Sequence, residues 1–409
     1  MVQTFALPAG DRHATFAMTW WFMDYILDEI LTIFKSHKSW FRHLPAGDRF
    51  VIPPRDDVVG VACVVEINLV HPKIQQIPVQ TKFPIFAPMQ TVETAANTWE
   101  KGYNNYGPWL KRKYKGERVF KVIVDGGFTC PNRDGSKGYG GCTYCNVDSF
   151  TPSVSRNAPN LREQVIQGME RARKGNKADK FIIYFQPNTN TYAPAHYLKM
   201  MYDEALSIEP ENIVGLSVGT RPDCIDAEKI ALLESYTDRF DVDLEMGMES
   251  IYDDTLAQIN RGCTHGDLVK ALKLVENSKL DICVHTIFGL PGESREMMLK
   301  YADEINRFPQ IKFVKFHHLH IVEGSVMGVK YKREPFKLFS LPEYADFLCD
   351  LLPLVRPDVV IQRLFGISDW ELLIAPNWGL KKSEIQYFID QRILERGVVQ
   401  GSALLQVSP

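Results

Sequence analysis

From Val119 onward, short runs of β-branched and aromatic residues alternate with longer stretches of helical period. The runs at 119–124, 181–185, 213–218, 242–248, 282–288 and 313–316 predict strands. Apolar positions three and four apart predict helices at 161–173, 195–208, 227–235, 268–277 and 296–307. Strands alternating with helices imply an α/β fold built on a parallel sheet with right-handed crossovers. Six such units fall short of the eight that close a barrel, so the expectation is an open, partial (β/α)6 barrel. Chemistry then gathers at the C-terminal ends of the strands. Residues 89–326 form the expected core domain, and 327–409, with helical patterns at 341–352 and 382–396, reads as a helical C-terminal extension that caps the barrel.

Residues 1–88 differ in character and read as an N-terminal extension of unclear structure. The word LPAGDR occurs twice, at 7–12 and 44–49, which is too little repetition for a solenoid. Residues 14–34 are rich in Trp, Phe, Ile and Leu. Asp24, Asp28 and Glu29 stand inside that stretch, at a cost a membrane span would not bear, so an amphipathic helix is expected. The stretch also lacks the basic leader and cleavage site of a signal peptide.

The chain has 409 residues, with 47 basic against 50 acidic side chains and a net charge of −3. That balance gives no general attraction to nucleic acid or an anionic membrane, so such a partner must meet a local patch. Most of the eight cysteines stand singly in apolar surroundings, such as Cys63, Cys283 and Cys349. Three cluster in one Gly-rich loop, a pattern of metal binding in a reducing, cytoplasmic setting.

That loop, Cys130, Cys142 and Cys145 in the order C-x11-C-x2-C, directly follows the first strand. Thiolates are the usual ligands of iron–sulfur clusters, and glycines let a backbone wrap close to the inorganic core. Three thiolates leave one iron of a 4Fe–4S cluster without a protein ligand, open to chelation. A structural zinc is the competing assignment, but it wants four protein ligands and no His lies in the loop.

The loop resembles that of the radical S-adenosylmethionine (radical SAM) superfamily, and the words around it are similar to those of the Elongator-catalytic-subunit-like branch, nearest its YhcC-type subfamily. The superfamily's usual spacing is C-x3-C-x2-C, and the long first gap marks this branch. The resemblance implies a 4Fe–4S cluster on Cys130, Cys142 and Cys145, with S-adenosylmethionine as the second cofactor. Gln186 stands near the place of the superfamily's Gly-Gly-Glu glutamate. Arg221 lies in a TRPD word, and Glu245, Glu249 and Ser250 in a word similar to ELGxQS. Arg261, in NRGC, is implied to pair with the methionine carboxylate, and Gly289 and Gly292, in GLPGE, to admit the adenine. His317, His318 and His320 close the sixth strand, where the family lines its substrate cavity; alternation puts His318 and His320 on one face. A second metal on these histidines is the lesser reading beside local hydrogen bonding.

A basic run with interleaved rings, Lys101 to Arg118, precedes the first strand. Rings and cations so arranged stack bases and track phosphates, and Elongator-type proteins act on tRNA, so a tRNA partner stands beside the alternative of a helix docked on the barrel. Too little chain follows the sixth strand for the Elongator acetyltransferase domain, so the complete Elongator reaction is not expected. The expected activity is reductive cleavage of S-adenosylmethionine to a 5′-deoxyadenosyl radical, fed by a reductant such as flavodoxin or ferredoxin. An iron–sulfur electron-transfer protein and a zinc-stabilised binding module are the other classes.

Overall fold

The computed structural model describes residues 49–52, 63–66, 99–151, 158 and 160–404. They belong to two compact units, Met1–Glu93 and Thr94–Pro409. In the first, β1 (Arg49–Ile52) pairs antiparallel with β2 (Cys63–Glu66). The amphipathic stretch at 14–34 and the first LPAGDR copy lie outside the described residues.

The second unit is built on one parallel sheet. Its strands are β3 (Val119–Val124), β4 (Lys180–Phe185), β5 (Ile213–Thr220), β6 (Asp241–Glu249), β7 (Asp281–Phe288), β8 (Ile311–His318) and β10 (Val360–Arg363). They lie side by side in chain order, all parallel, as crossovers of one hand require. The sheet therefore has seven strands rather than six. The seventh, β10, comes from the C-terminal tail, after the short β9 (Ile321–Val322), and pairs with β8 in register Val360 to Phe313. Four residues, half of them polar, are too short a run to announce a strand.

Both faces of the sheet are covered, and β4 is buried over nearly its whole length, which explains its unbroken apolar run FIIYF. The outer layer comprises α2 (Leu161–Asn176), α3 (Ala195–Leu206), α4 (Ala227–Glu234), α6 (His265–Leu274) and the pair α7 (Arg295–Leu299) and α8 (Tyr301–Arg307). Asn160 caps α2 and a Thr264–Asp267 capping box starts α6. After α9 (Val326–Arg333), helix α10 (Leu341–Leu351) buries Tyr344, Phe347 and Leu348 in the main core.

The sheet curls until its edges nearly meet at the base. Ile361 N–H of β10 donates to the Asn104 carbonyl at 2.8 Å, and Lys121 of β3 reaches Gln362 of β10 at 3.3 Å. Helix α1 (Tyr106–Lys113), from the basic run, closes this end. Tyr106 and Trp109 stack on each other and meet the Phe313 ring edge-on, at 5.7 and 5.1 Å between centroids. Tyr103 is buried and bonded to Asp390 at 3.0 Å. The rings of the run thus plug the barrel, and Lys113 pairs with Asp241 at 2.7 Å. No helix among the described residues is long and apolar enough to cross a membrane.

Candidate active site

The C-terminal strand ends surround a cavity of about 580 Å³, inside the ~300–1,000 Å³ typical of ligand sites. Its wall brings together Cys130, Cys142 and Cys145 with Gln186, Arg221, Glu245, Glu249 and Arg261. Residues more than a hundred positions apart converge because each lies on, or follows, a strand of the parallel sheet.

The cysteine loop is moored to the turn after α5 (Asp253–Gln258). Thr143 N–H donates to the Ile259 carbonyl at 2.8 Å, and Asn260 Nδ2 to the Gly141 carbonyl at 2.9 Å. Asn132, buried, donates in return to the Asn260 carbonyl. Gly262 has φ of +65°, and a Cβ there would stand 2.6 Å from Asn132 Oδ1. The Asn-Arg-Gly word therefore docks the loop as well as supplying Arg261.

All three thiols are free, Cys142 buried and the others half-buried. Two N–H donors face the Cys142 sulfur, Arg261 Nη1 and Asn132 Nδ2, each at 3.8 Å. Such contacts stabilise a thiolate. Burial, with Cys142 adding to it, pushes the Cys145 thiol up to about 12, against the pull of Arg133 and Arg261. Among the described residues, the groups of His, Cys, Asp or Glu ligand atoms lying within 4.8 Å of one another reduce to Glu245, Cys283 and His285. The three loop sulfurs therefore do not all lie within 4.8 Å of one another, whereas a tetrahedral zinc with ~2.3 Å bonds would hold each pair at roughly 3.8 Å. They suit a larger inorganic core.

Arg261 is buried, donates to the Gly247 carbonyl at 2.9 Å and faces Glu249 at 3.5 Å. Its Nε is buried without a partner. Glu249 has φ of +58° at a bulge in β6 and folds back over Gly247, where a Cβ would lie 2.3 Å from Oε1. Arg221 is committed within the protein: both faces of its fork meet Asp223, at 2.9 and 3.0 Å, and the rest donates to the carbonyls of Arg261 and Gly262. Lys137 of the cysteine loop pairs with the same Asp223. Gln186 lines the cavity beside Gly219, where a Cβ would be 3.3 Å from the Gln186 carbonyl.

Three other sequence candidates stand outside the cavity wall. Ser250 bonds Glu293, which also accepts from Tyr301 OH at 2.7 Å. Gly289, φ +87°, lies against Phe339, and Gly292, φ +91°, near Gln258. Their positive φ values explain the glycines as turn formers after β7.

The cavity floor is a charged lattice that pattern reading did not find. Glu245, with its side chain wholly buried, accepts from Lys121 at 2.7 Å, from His285 Nε2 at 2.8 Å and from Lys315. Lys121 also pairs with Asp243 at 2.9 Å, and Lys315 donates to Tyr184 OH at 3.1 Å. Burial alone would raise Glu245, but Lys121 and Lys315 hold its carboxyl well below the usual range. Burial takes Lys315 down to about 8. With two lysines on its carboxylate, the Glu245–Cys283–His285 group is an ion-pair network rather than a metal site. A lysine inside FVKFHH was the available signal, since buried lysines are rarely unpaired.

His318 and His320 share one face as expected, their Nε2 atoms 2.7 Å apart, and His320 Nδ1 meets Ser368 Oγ at 2.6 Å. The His318 ring stacks on Trp378 at 4.1 Å. His317 turns toward His285, with centroids 5.8 Å apart. Among the described residues these histidines belong to no group of three ligand atoms within 4.8 Å of one another.

A model of the radical SAM superfamily matches residues 130–305, and one of the Radical_SAM C-terminal domain matches 311–395. Protein YhcC of Escherichia coli (strain K12) is 36% identical over 306 residues, 75% of this chain and 96% of that protein. Protein MJ0486 of Methanocaldococcus jannaschii is 36% identical over 312 residues, covering 74% and 94%. The tRNA uridine(34) acetyltransferase of the same archaeon is 31% identical over 188 residues, 45% of this chain and 34% of its own length. Among solved structures, archaeal Methanocaldococcus infernus Elp3 aligns with a TM-score of 0.54 at 20% identity, over 69% of this chain and 64% of that one. The fold, the loop of three cysteines and these relatives place the chain in the radical SAM superfamily, as a radical SAM enzyme of the group that includes YhcC and MJ0486.

Proposed function

We propose that Cys130, Cys142 and Cys145 hold a 4Fe–4S cluster and that the adjoining cavity binds S-adenosylmethionine. The observation that carries this is the Cys142 sulfur, faced by Arg261 and Asn132 at the rim of a cavity roomy enough for the nucleotide. When bound, such a cluster supplies the electron that cleaves S-adenosylmethionine to methionine and a 5′-deoxyadenosyl radical.

The chain's own residues supply the frame. Arg261 brings a fixed positive charge and an unused Nε beside the cysteines, suited to a methionine carboxylate. Gln186 and Glu249 offer polar groups on the same wall. The Lys121–Glu245–Lys315 lattice and the Tyr106–Trp109 plug shut the lower end against water, which a reactive radical requires. A flavodoxin- or ferredoxin-type reductant fits as electron donor. A tRNA substrate is the finer reading, supported by the similarity to tRNA uridine(34) acetyltransferase. The rings of the basic run pack against the barrel and lend it no support, while the run's exposed cations, Lys111, Arg112 and Lys115, stay open to a phosphate backbone.

The test is anaerobic reconstitution with iron and sulfide, followed by a dithionite-dependent assay for 5′-deoxyadenosine. Wild type should bind about four irons, by the ligand chemistry of such clusters, and form product. Cys142→Ala should lose both. A single tetrahedral zinc, or an unchanged Cys142→Ala enzyme, would overturn the proposal.

A further inference from the structure

Most cationic side chains around the cavity are matched by carboxylates. Arg221 has Asp223, Arg261 faces Glu249, and Lys121 and Lys315 share Glu245. Arg133 belongs to the cysteine loop, where its charge acts on Cys145. Arg363 is different. It ends β10, lines the cavity, and its side chain makes no ion pair or hydrogen bond among the described residues. The groups that feel its charge, Lys315, His317 and Lys382, are themselves cationic when protonated.

A half-buried guanidinium whose side chain has no partner in the protein is unfavourable unless an anion meets it. Beside it, the buried Nε2 of His317 has no hydrogen-bond partner. Burial and Arg363 keep that imidazole neutral, so it carries one N–H donor. A planar fork of donors next to a further donor matches the oxygens of a carboxylate or phosphate. Arg363 ends β10 beside Lys315 and His317 of β8, whereas Arg261 stands at the cysteine loop, on the Cys142 sulfur. The two arginines therefore face the cavity from different surroundings, and only Arg261 adjoins the cysteines.

We propose that Arg363 determines substrate specificity: the substrate carries an oxyanion, carboxylate or phosphate, that docks on Arg363 and His317. This rests on the cavity being the radical SAM active site, and it names the chemistry of the substrate end.

The probes are phenyl phosphate, phenylacetate and neutral benzyl alcohol. Each is titrated calorimetrically into anaerobically reconstituted, oxidised full-length protein saturated with S-adenosylmethionine. At least one anion should bind, and benzyl alcohol at least about tenfold more weakly. Arg363→Gln should weaken the anion by roughly tenfold to a hundredfold, the range of a lost charged hydrogen bond, and Arg363→Lys should recover part. Which anion binds better separates phosphate from carboxylate. Equal binding of benzyl alcohol, an unchanged Arg363→Gln, or no anion binding at millimolar concentration overturns the proposal. Anion binding that S-adenosylmethionine abolishes also overturns it, by giving Arg363 to the methionine carboxylate. Failure of the radical SAM reading appears separately, in the iron content and product of the Cys142→Ala comparison.

Discussion

Arg221 donates to the backbone carbonyl of Arg261 at 2.7 Å, so one buried guanidinium fixes the turn that carries the other. Asp223 makes this tolerable by neutralising Arg221, and the pair holds the carboxyl of Asp223 below its ordinary value against the opposing effect of burial. The role is structural support for the cysteine loop, which rests on the same turn. Arg221→Gln strips a buried carboxylate of its main partner, leaving Lys137. The expected loss is about 3 kcal/mol in chemical denaturation, typical of breaking a buried pair. Denaturation unchanged within error would show that Arg221 is free for ligand instead.

The floor lattice makes a related prediction. Glu245→Gln removes the charge that both Lys121 and Lys315 face in a dry setting. Lys315, already down to about 8, should then titrate below neutrality and deprotonate. Stability at pH 7 should fall by about 3–5 kcal/mol. Replacing Lys315 by Met together with Glu245→Gln should recover part of it, since a half-removed network is worse than none. Fluorescence-monitored denaturation of the single and double variants tests the coupling.

Acid should unfold the enzyme through two sets of groups. Glu245 has a folded pKa well below its unfolded 4.5, so its contribution is complete above 4.5 and is lost as pH falls through the folded value. Burial takes His320 down from 6.5 to about 4, and His317 and His318 likewise fall well below 6.5. Between pH 6.5 and 4 the unfolded chain thus binds protons that the folded one refuses, and stability declines across that window. His320→Gln should flatten the slope between pH 6 and 4 in equilibrium denaturation; an unchanged slope would show that His320 titrates normally.

The strands were legible because buried parallel strands write continuous apolar runs, and four of the six outer helices' spans follow from their period. The helix expected at 296–307 is divided at Lys300, where one segment's cap begins the next. The seventh strand was hidden by its length. At the site, the three cysteines and Arg261 were visible as local words. Lys121, Lys315 and His285 were not, since each sits alone in an apolar strand and gains meaning only when curvature brings five strands to one axis. Arg363 was hidden for the same reason. The aromatic run shows the converse: Tyr103, Tyr106 and Trp109, spaced as for nucleic acid, pack at the barrel's base, while the cations Lys111, Arg112 and Lys115 stay exposed.

Gly262 offers the sharpest test of how the cysteine loop is held. Its φ of +65° is one that side chains adopt only under strain, and an added Cβ would press on Asn132 Oδ1 at 2.6 Å. Asn132 cannot easily swing away, being buried and bonded to the Asn260 carbonyl. Gly262→Ala should therefore cost about 1–2 kcal/mol in stability. The larger effect should be kinetic, because the displaced Asn132 also faces the Cys142 sulfur. Chelator-driven iron release from the reconstituted variant should be several-fold faster than from wild type, while Gly116→Ala, at a positive-φ glycine with nothing within 4 Å, should lose comparable stability without faster release. Equal release rates in the two variants would mean that backbone strain alone, and not the docking of the loop on this turn, governs how the thiols are held.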